Sequence, residues 1–144
     1  MIYFEKKPEN FSPKFEVSAC FLENNGEILL LHRHNDKPQG GTWGIIAGKL
    51  DADENSLDTI IRESFEEIGV KLNKDNISYF SSACVRYDKY DFIYHMYHTV
   101  LGKRPEIILN PSEHTDYLWV SPEISLTMNL IQDQDKCTKI FYKI

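Results

Sequence analysis

A chain of 144 residues, 42% of them hydrophobic, has enough apolar material for a core of its own, and a single domain over 1–144 is expected. The formal net charge of −6 argues against general affinity for nucleic acid or anionic lipid, which rests on clustered Lys and Arg, and leaves a small molecule as the expected partner. Cys20, Cys84 and Cys137 form no C-x-x-C pair for zinc or redox chemistry, and 1–13 holds no apolar run long enough for a signal peptide or membrane span; a soluble protein of the reducing cytoplasm is expected, monomer or homodimer.

After a polar lead-in, Phe15 to Leu22 reads as a strand, Glu23-Asn24-Asn25-Gly26 as a turn and Glu27 to His32 as a second, strongly apolar strand, together a hairpin. Pro38, Gly40 and Gly41 make His34 to Gly41 a loop before a short strand from Thr42 to Ala47. Gly48 to Glu54 is another loop and leads into a helix from Asn55 or Ser56 to Ile68, closed by Gly69. Two strands rich in aromatic and β-branched residues follow, Ile77 to Tyr87 and Phe92 to Leu101, joined through Asp88-Lys89-Tyr90-Asp91. The loop from Gly102 to Thr115 has room for a short strand at Ile107 to Leu109, and Tyr117 to Val120 is the last strand. A C-terminal helix beginning near Asp133 is expected to carry Cys137, Ile140 and Phe141 inward. No repeat, low-complexity tract or linker divides the chain. The expected class is α/β in the α+β sense, a mixed β-sheet sandwiched between helices.

The segment from Gly48 to Val70 carries the chemistry. At about 100° per residue, Leu57, Ile60, Ile61, Ser64, Phe65 and Ile68 fall on one arc of roughly 140°, suited to packing on the sheet, with Glu63, Glu66 and Glu67 on the opposite arc. Carboxylates at i, i+3 and i+4 repel by a few tenths of a kcal/mol per pair, and these three also sit at the negative end of the helix dipole. Two local rules broken together mark a functional site, and an oxygen-only cluster is what Mg²⁺ or Mn²⁺ requires. An acidic helix face alone is most often merely solvated; the preceding loop tips the reading.

Loop and helix together resemble the Nudix box, in which a glycine is followed after five residues by Glu and after seven more by Arg-Glu, an aliphatic residue, any residue, Glu-Glu, any residue, Gly and an aliphatic. Gly48, Glu54, Arg62, Glu63, Glu66, Glu67, Gly69 and Val70 all fit. With each type used at roughly 5–7%, the seven matches of fixed type, Val70 aside, arise together by chance in about one window in 10⁹. Ser64 stands where the family usually has an aliphatic residue, and Ile46 and Ala47 where Pro and Gly are common. Trp43 to Lys49, Arg33, and Trp119 before Ser121-Pro122-Glu123 extend the likeness from Phe15 to Glu123.

The resemblance implies a MutT-like, metal-dependent pyrophosphohydrolase that cleaves a phosphoanhydride bond in a nucleoside diphosphate linked to another moiety, such as a nucleoside triphosphate. It implies Glu63, Glu66 and Glu67 as catalytic ligands of Mg²⁺ or Mn²⁺, with the Gly48 carbonyl as a further ligand. Arg62 would fix a carboxylate rotamer through an ion pair, and Glu54 would tie the loop to the helix. The general base comes either from the box helix or from a late loop, where Glu113, with His114 beside it, is the candidate. Arg33 and Lys49 are candidate phosphate contacts. Tyr79, Phe80, Tyr87, Phe92, Tyr94 and Tyr97 are mostly core but include a candidate stacking platform. Tyr87 in particular stands seventeen residues past Val70, which resembles the spacing in dinucleoside polyphosphate hydrolases. His95 and His98 face opposite sides of a strand and form no metal pair. The alternatives are a dinucleoside polyphosphate hydrolase, a nucleotide-sugar hydrolase, or a non-catalytic nucleotide-sensing Nudix domain, which metal-dependent turnover distinguishes.

Overall fold

A twelve-residue strand, β2 (Pro13–Asn24), buried on both faces from Ser18 to Leu22, organises the computed structural model, which describes all residues 1–144. The other elements are β1 (Ile2–Tyr3), β3 (Glu27–Arg33), β4 (Trp43–Gly44), β5 (Ile46–Lys49), α1 (Ser56–Ile68), β6 (Ile77–Arg86), β7 (Asp91–Val100), β8 (His114–Val120), α2 (Pro122–Ser125) and α3 (Gln134–Tyr142). The sheet is mixed, with order β1-β6-β7-β2-β3-β4, β5 beside β2 and β8 beside β3. β2 runs parallel to β7 from Phe15↔Phe92 to Glu23↔Val100, and antiparallel to β5 from Val17↔Lys49 to Cys20↔Ile46.

Alternation divides the apolar residues between two faces. Ala19, Phe21, Ile28, Leu30, Val85 and Met96 pack with Cys137 under α3, whereas Cys20, Leu22, Leu29, Leu31 and Ile46 pack with Ile60 and Ile68 of α1. The expected sheet between helices is therefore the observed architecture. No helix is long and apolar enough to cross a membrane.

Several local expectations need correction. The lead-in contains an edge strand, with Ile2 opposite Val85. The Thr42–Ala47 strand is two pieces: Trp43–Gly44 pairs with β3 and Ile46–Lys49 with β2, because the chain changes partner at Ile45. No strand forms at Ile107–Leu109; the Ile108 and Asn110 amides instead donate to the carbonyls of Ile68 (2.8 Å) and Glu67 (3.0 Å), satisfying the open end of α1. The short α2 was missed, although Ser121-Pro122 is a helix-start signal: Ser121 Oγ accepts from Ile124 N–H at 3.2 Å. In α3, Cys137 is buried and Phe141 packs on the core as expected, but Ile140 is exposed.

The largest correction concerns α1. Phe65, expected on the core side, is 61% exposed, and the buried positions are Thr59, Ile60, Glu63, Ser64, Glu67 and Ile68. The buried arc is thus turned by roughly 80° from the one that apolar periodicity implies. Ser64, the departure from the family pattern, is fully buried, and two of the three glutamates face the protein rather than water.

Candidate active site

Local chain geometry sets where the carboxylates lie. Asn55 caps α1, its side chain accepting from Asp58 N–H at 2.8 Å, and Gly69 ends it in the left-handed region at φ 71. The preceding loop is tied down by Glu54, which receives a bidentate pair from Arg62 Nε and Nη2 (both 2.9 Å), the Thr59 hydroxyl (2.6 Å) and the Asp51 amide (3.1 Å). The Arg62 bonds, helped by Thr59 and Asp51, hold the Glu54 carboxyl down at about 2. Arg62 also donates to Lys49 C=O at 3.0 Å, Glu63 at 2.9 Å and Glu66 at 3.1 Å. One guanidinium therefore joins the loop to both glutamates.

Glu63 and Glu67 are buried; Glu66 is exposed. Glu63 lies directly on the Cα of Gly48, where any Cβ would overlap its Cγ, Cδ and Oε1. Burial, aided by the Glu67 and Glu66 charges and opposed by Arg62, pushes the Glu63 carboxyl up to about 7. Glu67 Oε2 comes within 2.9 Å of His114 Nδ1 but out of line for a hydrogen bond, so both buried atoms are left without a hydrogen-bond partner. As arranged, no three acidic or histidine side chains converge on a single point. Two adjacent, poorly satisfied buried groups, the Glu67 carboxylate and the His114 imidazole, beside the Glu63 carboxylate on its glycine cradle, are nevertheless suited to a small divalent cation.

The Glu63 shift has a measurable consequence. A carboxyl raised in the folded state favours the protonated form there, so stability is fullest below the ordinary 4.5 and declines as pH rises towards about 7. Glu54 and Asp91, both lowered to about 2, act only at more acid pH. In chelator, the melting temperature of the parent should fall between pH 5 and 8 by more than that of Glu63→Gln. Parallel curves would show that Glu63 ionises normally.

A cavity of about 340 Å³ opens beside these groups, within the range of ligand pockets. It is lined by Gly48, Glu67, Glu113 and His114, by Lys49 and Arg33, and by the rings of Phe15, Tyr87, Tyr90, Phe92 and Tyr94. Glu113 is held by Lys37 at 2.9 Å, and its carbonyl accepts from His34 N–H at 2.9 Å. Arg33 donates to Pro38 C=O at 2.8 Å, and Lys49 Nζ sits 4.2 Å above the Phe15 ring. Among the aromatic candidates, Tyr87, Phe92 and Tyr94 face the cavity, whereas Tyr79, Phe80 and Tyr97 do not. His95 and His98 bind Glu16 (2.6 Å) and Glu23 (3.0 Å) separately.

One residue that sequence reasoning missed also lines the cavity. Asp133 has a side chain only 8% exposed, with Oδ1 3.1 Å from Lys136 Nζ. Its Oδ2 has no hydrogen-bond partner, the nearest cation being the Met1 amine at 3.6 Å. A lone Asp between two glutamines carries no sequence signal of this; only burial and the empty acceptor reveal it.

Comparison with known proteins places these features in a family. The NUDIX domain profile matches residues 13–139. The CTP pyrophosphohydrolase of Escherichia coli K12 is 30% identical over 113 residues, covering 77% of this chain and 78% of its own. The MutT protein from Methanosarcina mazei Go1 has the same fold, with a TM-score of 0.77 at 22% identity over 92% of this chain and 94% of that one. A bifunctional NMN adenylyltransferase/ADP ribose pyrophosphatase from Francisella tularensis, solved with AMP and a Mn ion, has a TM-score of 0.73 at 23% identity, over 93% of this chain and 42% of that one. Fold and box together define a hydrolase acting on pyrophosphate bonds, of a class that uses divalent metals. The chain belongs to the NUDIX family.

Proposed function

We propose that residues 1–144 act as one domain, a Mg²⁺- or Mn²⁺-dependent pyrophosphohydrolase of a nucleoside triphosphate or related nucleotide. The observation that carries this reading is the pair of buried carboxylates, Glu63 seated on Gly48 and Glu67 on His114, with Gly48, Glu67 and His114 lining the aromatic-rich cavity. Glu63, Glu66, Glu67 and the Gly48 carbonyl would hold the metal, which supplies charge neutralisation at the phosphoanhydride and an activated water. Arg62 fixes the glutamates through its loop and helix contacts. Glu113, lining the cavity beside Glu67, is the group to take the proton from the attacking water, while Lys49 and Arg33 contact phosphate. Tyr87 and its aromatic neighbours receive the heterocycle on their faces. Asp133 is acceptor-only when ionised, so its buried Oδ2, which lacks a hydrogen-bond partner, suits an exocyclic amino group at a heterocycle edge.

Nucleoside triphosphates including CTP and UTP, oxidised nucleotides, dinucleoside polyphosphates, ADP-ribose and nucleotide sugars should be assayed with Mg²⁺ and after exhaustive chelation. At least one is expected to be cleaved at a phosphoanhydride, only with metal, and with kcat reduced in Glu113→Gln. Full hydrolysis in chelator would sink the metal assignment, and an unchanged kcat would remove Glu113. Failure of the whole panel would favour a nucleotide-binding domain without turnover.

A further inference from the structure

The backbone at Asp133 turns through φ 68 and ψ −1, the third position of a turn closed by Gln134 N–H to Ile131 C=O at 3.0 Å. Glycine or asparagine normally fills such a place. An aspartate at a helix N-cap also normally turns its carboxylate onto the first-turn amides, yet this one makes no such bond. Left-handed backbone at a non-glycine residue persists only where its surroundings fix it. Ile131 N–H is fixed by Trp43 C=O at 2.8 Å, from the sheet. Gln132 N–H, one residue before the strained position, is fixed by a side chain, Gln39 Oε1, at 2.8 Å.

Gln39 belongs to the 34–41 loop, which borders the cavity and is itself closely determined. Its own φ is 56, and its carbonyl accepts the Thr42 hydroxyl at 2.7 Å. Gly41 N–H returns to Arg33 C=O at 3.0 Å, and a Cβ on Gly40 would strike the Asn35 backbone. A single side chain thus reaches from a rigid loop to the turn that bears Asp133.

We propose that Gln39 is a specificity-determining positioning residue: through Gln132 N–H it sets the Asp133 turn, and with it the preference for heterocycles that carry an exocyclic amino group, as cytosine does, over those with a carbonyl acceptor in its place, as in uracil, without touching the phosphate chemistry. This rests on the reading of the aromatic cavity as the heterocycle pocket. The strut and that reading fail in different measurements, because one is seen in the amide of Gln132 and the other in substrate preference.

Gln39→Met preserves length and removes the acceptor; Gln39→Glu keeps an acceptor oxygen. Gln39 is exposed, so both variants should fold. Amide hydrogen exchange at 131–134 would be measured in the protein alone, and kcat and KM for CTP and UTP with Mg²⁺. In Gln39→Met the Gln132 amide should exchange faster, and the CTP-over-UTP ratio of kcat/KM should fall about 2- to 10-fold, the range of one net hydrogen bond, mainly through KM. Gln39→Glu should restore amide protection and part of the ratio. An unaltered Gln132 amide in Gln39→Met would overturn the strut. A faster amide with an unchanged ratio would overturn its role in specificity. A parent that prefers neither nucleotide would overturn the pocket reading, and the inference with it, whatever the amide does.

Discussion

Glu67→Gln should cut turnover by about 10²- to 10⁴-fold, several kcal/mol of lost charge stabilisation at 1.36 kcal/mol per tenfold, while leaving the metal-free protein as stable as the parent or slightly more so. The carboxylate is buried near the negative end of α1, its Oε2 has no hydrogen bond, and its charge adds to the pressure on Glu63. A neutral amide of the same shape relieves that repulsion but supplies a poorer metal ligand. Glu66→Gln should lose activity in the same direction with a different stability signature. Glu66 is exposed and bonds Arg62 at 3.1 Å, so its removal forfeits an i,i+4 pair worth about 0.3–0.5 kcal/mol. Melting temperature in chelator and kcat with Mg²⁺ would be taken on the same preparations at pH 8. A Glu67→Gln protein that unfolds easily while its folded fraction turns over normally would make this glutamate structural.

Gly48→Ala should fold almost normally and lose at least about 100-fold in kcat. Gly48 pairs with Ser18 in β5 and does not have a positive φ, so alanine suits its backbone. What the new methyl meets is the end of the Glu63 side chain, which is flexible, rather than fixed backbone. The carboxylate should therefore swing off the cradle, breaking its 2.9 Å bond to Arg62, while stability changes by less than about 1 kcal/mol. Binding of Mn²⁺ to the variant, followed by calorimetry, should weaken in step with kcat. Full turnover in Gly48→Ala would show that Glu63 has no need of its position over residue 48.

Spacing and periodicity carry much of this molecule because they report local chemistry. The α1 limits, the Asn55 and Gly69 ends, the long strands Ile77–Arg86 and Asp91–Val100, and the association of Arg62 with Glu54 all follow from interactions between residues near in sequence. The box could be read for the same reason: its glycine, arginine and glutamates lie within one loop and one helix, at separations that helix geometry fixes.

The rotation of α1 was beyond such reading. Apolar periodicity weighs Phe65 against Glu67 by hydrophobicity alone, whereas the room for two glutamates to turn inward comes from Gly48 on β5 and from His114 on β8. The same holds for Asp133 at the cavity. The role proposed for it rests on a left-handed turn, on burial, and on an amide held by Gln39 from 93 residues away. By itself the sequence determined the family, the sheet between helices and the residues of the box, because each is written in short-range pattern. Only the tertiary structure decided which glutamates are buried and where the open carboxylate lies, because desolvation and unmet hydrogen bonds arise when distant segments pack together.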